Sequence, residues 1–289
     1  MVGEVQVVIA QENDTLLDLA RRFDLGYGEI TAANPGVDPW VPGAGTRVVV
    51  PTQFVLPPGP RRGIVLNLAQ LRLFYFQRPE RGQPGQVITH PVGIGTDYAR
   101  TPLGETKVAR KTPNPVWRPS ADIREEHAAD GDWLPAEVPP GPGNPLGNFA
   151  LYLGLSGGYL IHGTNKPWGV GMRVSHGCIR LYPEDIESLY AQVPVGSPVR
   201  IIDEHYLLGW RGELPYLQVF PRIQTIPDEE GENLTPAIAA IARSVSRRRQ
   251  VDWDRVAAAA SQKRAIPIPI STGSSTLEEI LRNAAAVEN

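Results

Sequence analysis

The stretch YLIHGTNKPWGVGMRVSHGCIRL, residues 159–181, holds the only cysteine of the chain, Cys178, and two histidines close to it in sequence. A cysteine attacks carbonyls as the thiolate. It therefore needs a base or a positive neighbour to lower its pKa from about 8.5, and histidine is the usual device. His176 stands two residues before Cys178, and His162 stands sixteen before it, at the end of a strand-like run Gly158–His162. Gly163 leaves the backbone free to turn there. Backbone N–H groups around Ser175, His176, Gly177 and Cys178 are candidates for an oxyanion site. On residue types alone three readings stay open. Cys178 is a nucleophile, or an inert buried thiol beside histidines that satisfy backbone groups, or part of a zinc site, for which the chain offers no second cysteine.

Working outward, Pro183–Val193 reads as a helix, with Pro183 in its first turn, Glu184 and Asp185 at its positive end, and Ile186, Leu189, Tyr190 and Val193 on one face. Pro198–Ile202 reads as a strand, and upstream Ile64–Leu68, Leu71–Phe76, Val87–Ile94 and Glu105–Ala109 do likewise. Residues 110–158 show little regular pattern, which in a compact domain means either an element that the pattern conceals or a flap over a site. The first 51 residues read as a unit of order βααβ. It has a strand Val5–Ala10, a helix capped at Asp14 or Thr15 with Leu16, Leu19, Ala20 and Phe23 on one face, a second helix around Glu29–Ala33 stopped by Asn34-Pro35-Gly36, and a strand Arg47–Val50. Pro57, Pro58 and Pro60 suggest a stiff spacer. After Asp203 three helices are expected, near Pro236–Ser246, Asp252–Lys263 and Thr276–Val287; the basic run Arg247–Arg249 reads as a solvated helix end.

Composition bounds the rest. At 289 residues the chain has room for a full-sized domain and a smaller module. A 42% hydrophobic, 20% charged sequence with net charge −3 is an ordinary globular protein, so nucleic acid is not an expected partner. No apolar run approaches the roughly 18 residues of a membrane helix. The opening MVGEVQVVIAQEND lacks the layout of a signal peptide, so no leader is visible in this chain.

The stretches NDTLLDLA, the Asn34-Pro35 turn and RVVVP, in that order, resemble the LysM module. That resemblance implies binding of N-acetylglucosamine-containing glycan in a groove mapping to Asp14, Thr15, Leu16, Asn34 and Pro35. HGTN at 162–165 and SHGCIRL at 175–181, with TPLGETKV at 101–108 upstream, resemble the L,D-transpeptidase catalytic domain over roughly residues 63–203. The resemblance implies a multidomain α+β protein: a LysM domain at 1–52, a Pro-rich linker at 53–62, a mainly β, sandwich-like catalytic domain at 63–203 and a helical C-terminal extension at 204–289. It also implies that Cys178 is the nucleophile and His162 its base, that the Gly163 carbonyl orients His162, and that Ser175, His176 and Gly177 shape the oxyanion site. Arg180 is implied to fix the loop or a substrate carboxylate. No metal or organic cofactor is implied. The implied substrate is a peptidoglycan tetrapeptide stem, with the acyl group passed to a stem amine, to a lysine of an outer-membrane lipoprotein, or to water as in an L,D-carboxypeptidase. The module order is similar to that of Gram-negative members that attach lipoprotein to the wall, which implies a periplasmic, cell-envelope enzyme. A binding protein with a vestigial catalytic domain is the reading of another class.

Overall fold

The computed structural model describes residues 1–79, 82–221, 234–244 and 251–289. Two compact units emerge: residues 1–61, 67–72 and 202–289 form one, and residues 62–66 and 73–201 the other.

The first unit begins with strand β1 (Gln6–Ile9), helices α1 (Leu16–Arg22) and α2 (Tyr27–Ala33), and strand β2 (Arg47–Val50), which pairs antiparallel with β1. Thr15 is the N-cap of α1 in a reciprocal capping box with Asp18, and Leu16, Leu19 and Ala20 are buried, as the apolar spacing demands. Gln53, Phe54 and Val55, at the start of the Pro-rich 53–62 segment, are buried. The Val55 N–H donates to the side chain of Gln218, which is itself fully buried and donates to the Ala265 carbonyl at 2.7 Å.

The second unit, with short flanks, supplies β3 (Gly63–Asn67), β4 (Arg72–Phe76), β5 (Val87–Pro91), β6 (Ile94–Gly95), β7 (Gly104–Pro113), α3 (Ala121–Ala129), β8 (Phe149–Leu153), β9 (Leu160–His162), β10 (Arg173–Ser175), β11 (Ile179–Arg180), α4 (Pro183–Gln192) and β12 (Pro198–Ile202). Among the described residues these make an eight-stranded sheet of order β11-β9-β8-β7-β12-β3-β4-β5 and a two-stranded β10-β6 ribbon. The Lys111 ammonium donates to the carbonyls of Tyr190 and Val193, closing the negative end of α4.

Residues 204–289, expected to be partly helical, also contain sheet. A hairpin β13 (Tyr206–Arg211) and β14 (Leu214–Val219) is followed by α5 (Thr235–Ser244), α6 (Trp253–Gln262), β15 (Ile268–Pro269), α7 (Leu277–Asn283) and β16 (Ala285–Ala286). Leu217 and Val219 pack with Ala237, Ile241, Val256 and Ala259. The last helix stops at Asn283 rather than near Val287, because β16 pairs in parallel with the open edge of β1, Gln6 against Ala285 and Val7 against Ala286. The end of the helix expected at Pro236–Ser246 and the run Arg247–Arg249 lie outside the described residues.

Candidate active site

Strand pairing assembles the site. β9 and β11 run parallel with Ile161 opposite Ile179 and His162 opposite Arg180. Side chains alternate along a strand and paired residues share a face, so His162 and Arg180 point the same way, and Cys178, two residues before Arg180, joins them beside Leu160. Antiparallel pairing of β8 adds Ala150 and Tyr152 to that face. Leu146, Ala150 and Leu160 form a small buried cluster there, with Trp117, Tyr152 and Cys178 packed against it. The thiol is thus diagonal to the imidazole, with roughly 8 Å between backbones from strand spacing alone.

His162 is 3% exposed and its Nδ1 lies 2.6 Å from the Gly163 carbonyl. A carbonyl only accepts, so Nδ1 carries the proton of the neutral ring and Nε2 keeps a lone pair. Burial, joined by the charge of Arg180, lowers the imidazole pKa to about 3, against the opposing pull of the Gly163 and Leu146 carbonyls. Burial also raises the Cys178 thiol, outweighing a backbone hydrogen bond at Leu160 and the Arg180 charge, which both lower it. The resting pair is therefore neutral thiol beside neutral imidazole. The depressed thiol that residue types alone suggested is absent, because desolvation of a thiolate in this apolar cluster outweighs a single cation. Alkylation of Cys178 by iodoacetamide should accordingly rise with a midpoint above the ordinary ~8.5 of a free thiol. Arg180→Met should move it higher still; a midpoint near neutrality would contradict this balance.

The loop before Cys178 is bound internally. Ser175, 2% exposed, donates from Oγ to the Cys178 carbonyl at 2.5 Å and accepts from the Gly177 N–H at 3.2 Å. That N–H, expected among the oxyanion donors, is already used. His176 is exposed, with Nε2 2.8 Å from the Glu126 carboxylate on α3, so its ring is engaged by that helix. Thr101 was missed as an individual residue. It donates to the Gly177 carbonyl at 2.9 Å and accepts from the Gly95 N–H at 3.1 Å. The Arg180 Nε is buried with no hydrogen-bond partner among the described residues, and the guanidinium is coupled electrostatically to the thiolate form of Cys178.

The segment between β7 and β8 is more regular than its sequence suggests. It carries α3 and an antiparallel bridge between Trp117 and Val138. Asn144, fully buried, ties it together by donating to the carbonyls of Pro115, Val138 and Pro139 and accepting from the Leu146 N–H.

The five residues mapped to a glycan groove belong to the first unit and divide into two kinds. Leu16 is wholly buried, and Asn34 spends its amide on Ile30 and Val49. Asp14 accepts from the Gln11 N–H, Arg22 and the Asn289 side chain. In this structure the polar groups of Asp14 and Asn34 are engaged within the protein itself. Thr15 is half-buried and Pro35 is exposed.

One thiol and one carbonyl-anchored neutral imidazole on a shared sheet face, with a half-buried cation beside them, define a site of the cysteine acyl-transfer class. Residues 61–201 match the YkuD family, the L,D-transpeptidase catalytic domain. "Probable L,D-transpeptidase ErfK/SrfK" of Salmonella typhimurium is 38% identical over 279 residues, 94% of this chain and 88% of that protein. "Probable L,D-transpeptidase YbiS" of Escherichia coli K12 is 44% identical over 207 residues, 71% of this chain and 66% of that protein. L,D-transpeptidase 3 from Mycobacterium tuberculosis aligns with a TM-score of 0.35 at 20% identity, covering 56% of this chain and 67% of that chain. On the strength of the sequence relatives, the chain belongs to the L,D-transpeptidase family.

Proposed function

We propose that the protein is a peptidoglycan L,D-transpeptidase in which Cys178 is the nucleophile and His162 the base. The observation that carries the assignment of residues is the β9–β11 register, which sets Cys178, His162 and Arg180 on one face. As the thiol attacks the carbonyl of the third stem residue, His162 Nε2 takes its proton. The tetrahedral adduct collapses by returning that proton to the departing amine of D-alanine, and a thioester remains. An acceptor amine then attacks the thioester, His162 takes the amine proton, and the thiol is restored. Neutral imidazole and neutral thiol suit this order, because charge develops only when a carbonyl is in place to receive it. Arg180, whose buried Nε has no partner among the described residues, is placed to steady the thiolate as it forms.

The N-terminal βααβ unit serves, in this reading, as a LysM-type holder of glycan strands, presenting Thr15, Pro35 and the exposed Trp40 of the loop before β2. The enzyme works in the periplasm, with either a stem amine or a lipoprotein lysine as acceptor. No described helix is long and apolar enough to cross a membrane. Mass spectrometry of products from disaccharide-tetrapeptide muropeptides tests the assignment. Cross-linked dimers lacking one D-alanine are expected when a stem amine is the acceptor, and tripeptide linked to added lipoprotein when lysine is. Tripeptide monomers alone would replace transfer by hydrolysis, and unchanged substrate in every mixture would overturn the enzyme assignment.

A further inference from the structure

We infer that Thr101 is a positioning residue for acyl transfer, its hydroxyl fixing the Gly177–Cys178 peptide so that the Cys178 N–H faces the developing oxyanion. The inference rests on Cys178 being the nucleophile. Thr101 is 4% exposed and lies 76 residues from its partner in sequence. Its oxygen accepts from the Gly95 N–H, and its single proton goes to the Gly177 carbonyl. The peptide group is planar and trans, so its C=O and N–H point in opposite directions. Anchoring the Gly177 carbonyl on one side therefore sends the Cys178 N–H to the other.

The neighbouring peptides are held from within the loop. The Gly177 N–H is tied to Ser175 Oγ, and the Cys178 carbonyl accepts from that same hydroxyl. The peptide between them is held by Thr101, across a residue at φ +101° whose lack of a side chain leaves rotation easy. The fit is close. A Cβ on Gly95 would stand 2.8 Å from Gly177 Cα and 2.1 Å from the Ala99 carbonyl oxygen, so glycine at 95 is what lets the strand edge and the cysteine loop approach. Oxyanion donors act by being aimed before charge develops, and loss of one lowers kcat by about 10²–10³-fold.

The test uses the full chain with Thr101→Val, which keeps the shape and removes the hydroxyl, and Thr101→Ser, which keeps the hydroxyl. Two reactions of the same sulfur are compared: D-alanine release from tetrapeptide stems, which passes through an oxyanion, and alkylation by iodoacetamide, which does not. For Thr101→Val, kcat should fall about 10²-fold with KM and the alkylation rate each within about twofold of wild type, and Thr101→Ser should recover most of kcat. An unchanged kcat overturns the inference. So does a parallel fall in alkylation, which would mean a collapsed loop, or a serine variant as poor as valine, which would mean a steric role. Should the valine variant fail to fold, Thr101→Ala is read on the same two reactions. D-alanine release that survives Cys178→Ala would instead remove the nucleophile assignment on which the inference stands.

Discussion

Cys178→Ala is expected to lower D-alanine release by at least about 10⁴-fold, since covalent catalysis needs a nucleophile at that point and the chain has no second cysteine to substitute. His162→Gln should cost about 10²–10⁴-fold, because the ring is replaced by a group of similar size that cannot take a proton. The informative measurement is the double variant. If thiol and imidazole act as one unit, removing both costs little more than removing Cys178 alone. Costs that multiplied would mean that His162 works on something other than the thiol. Far-UV circular dichroism on each variant guards against a folding explanation, which matters most for His162, buried at 3% exposure and bonded to its own neighbour's carbonyl. The pH at which the rates are taken decides little for His162. With its pKa near 3 the ring is neutral across any working range, and the dependence that remains follows the raised thiol.

The elements flanking this pair were legible in the sequence because their signals are local. Pro183 with acidic neighbours announces α4, and β12 falls on Pro198–Ile202, where the apolar run places it. β8 and α3 escaped. The helix ADIREEHAA buries none of its residues, so it shows no apolar stripe to read. The hairpin β13–β14 did leave a trace: Arg211 pairs with Leu214, so Gly212-Glu213 is a two-residue turn with glycine at the position of positive φ, a recognisable hairpin pattern between apolar runs. Thr101 and Asn144 left less. Each acts through hydrogen bonds to backbone groups that only the fold brings near, and a threonine before proline or an asparagine in a Gly/Pro-rich segment reads equally well as a turn. The same limit explains the glycan residues. Asn34 stops α2 as its sequence promises, but whether an amide then faces sugar or clamps Val49 is decided by what lies fifteen residues on.

The largest stability effect is expected away from the cysteine, at Arg72. Its guanidinium is 1% exposed, donates to both carboxylate oxygens of Glu29 at 2.7 and 2.8 Å and to the Asp24 carbonyl at 2.6 Å, and stacks over the Phe54 ring at 4.0 Å. Glu29 also caps its own helix by accepting from the Gly26 N–H. Two desolvated charges this well bonded cancel much of each other's burial cost, but neither is tolerable alone. Arg72→Met should therefore destabilise by about 3–5 kcal/mol, because it leaves the Glu29 carboxylate buried and unpaired. Replacing both partners by apolar residues, Arg72→Met with Glu29→Leu, removes the orphaned charge as well as the pair. That double variant should be more stable than Arg72→Met alone, though short of wild type, since the Asp24 carbonyl and the Gly26 N–H lose their partners. Denaturant midpoints of the three proteins measure the order directly. If the double variant were the least stable of the three, the pair's net attraction and its packing over Phe54 would outweigh the cost of burying it. If Arg72→Met alone were harmless, Glu29 would have to be reaching water or a proton that the buried geometry denies it.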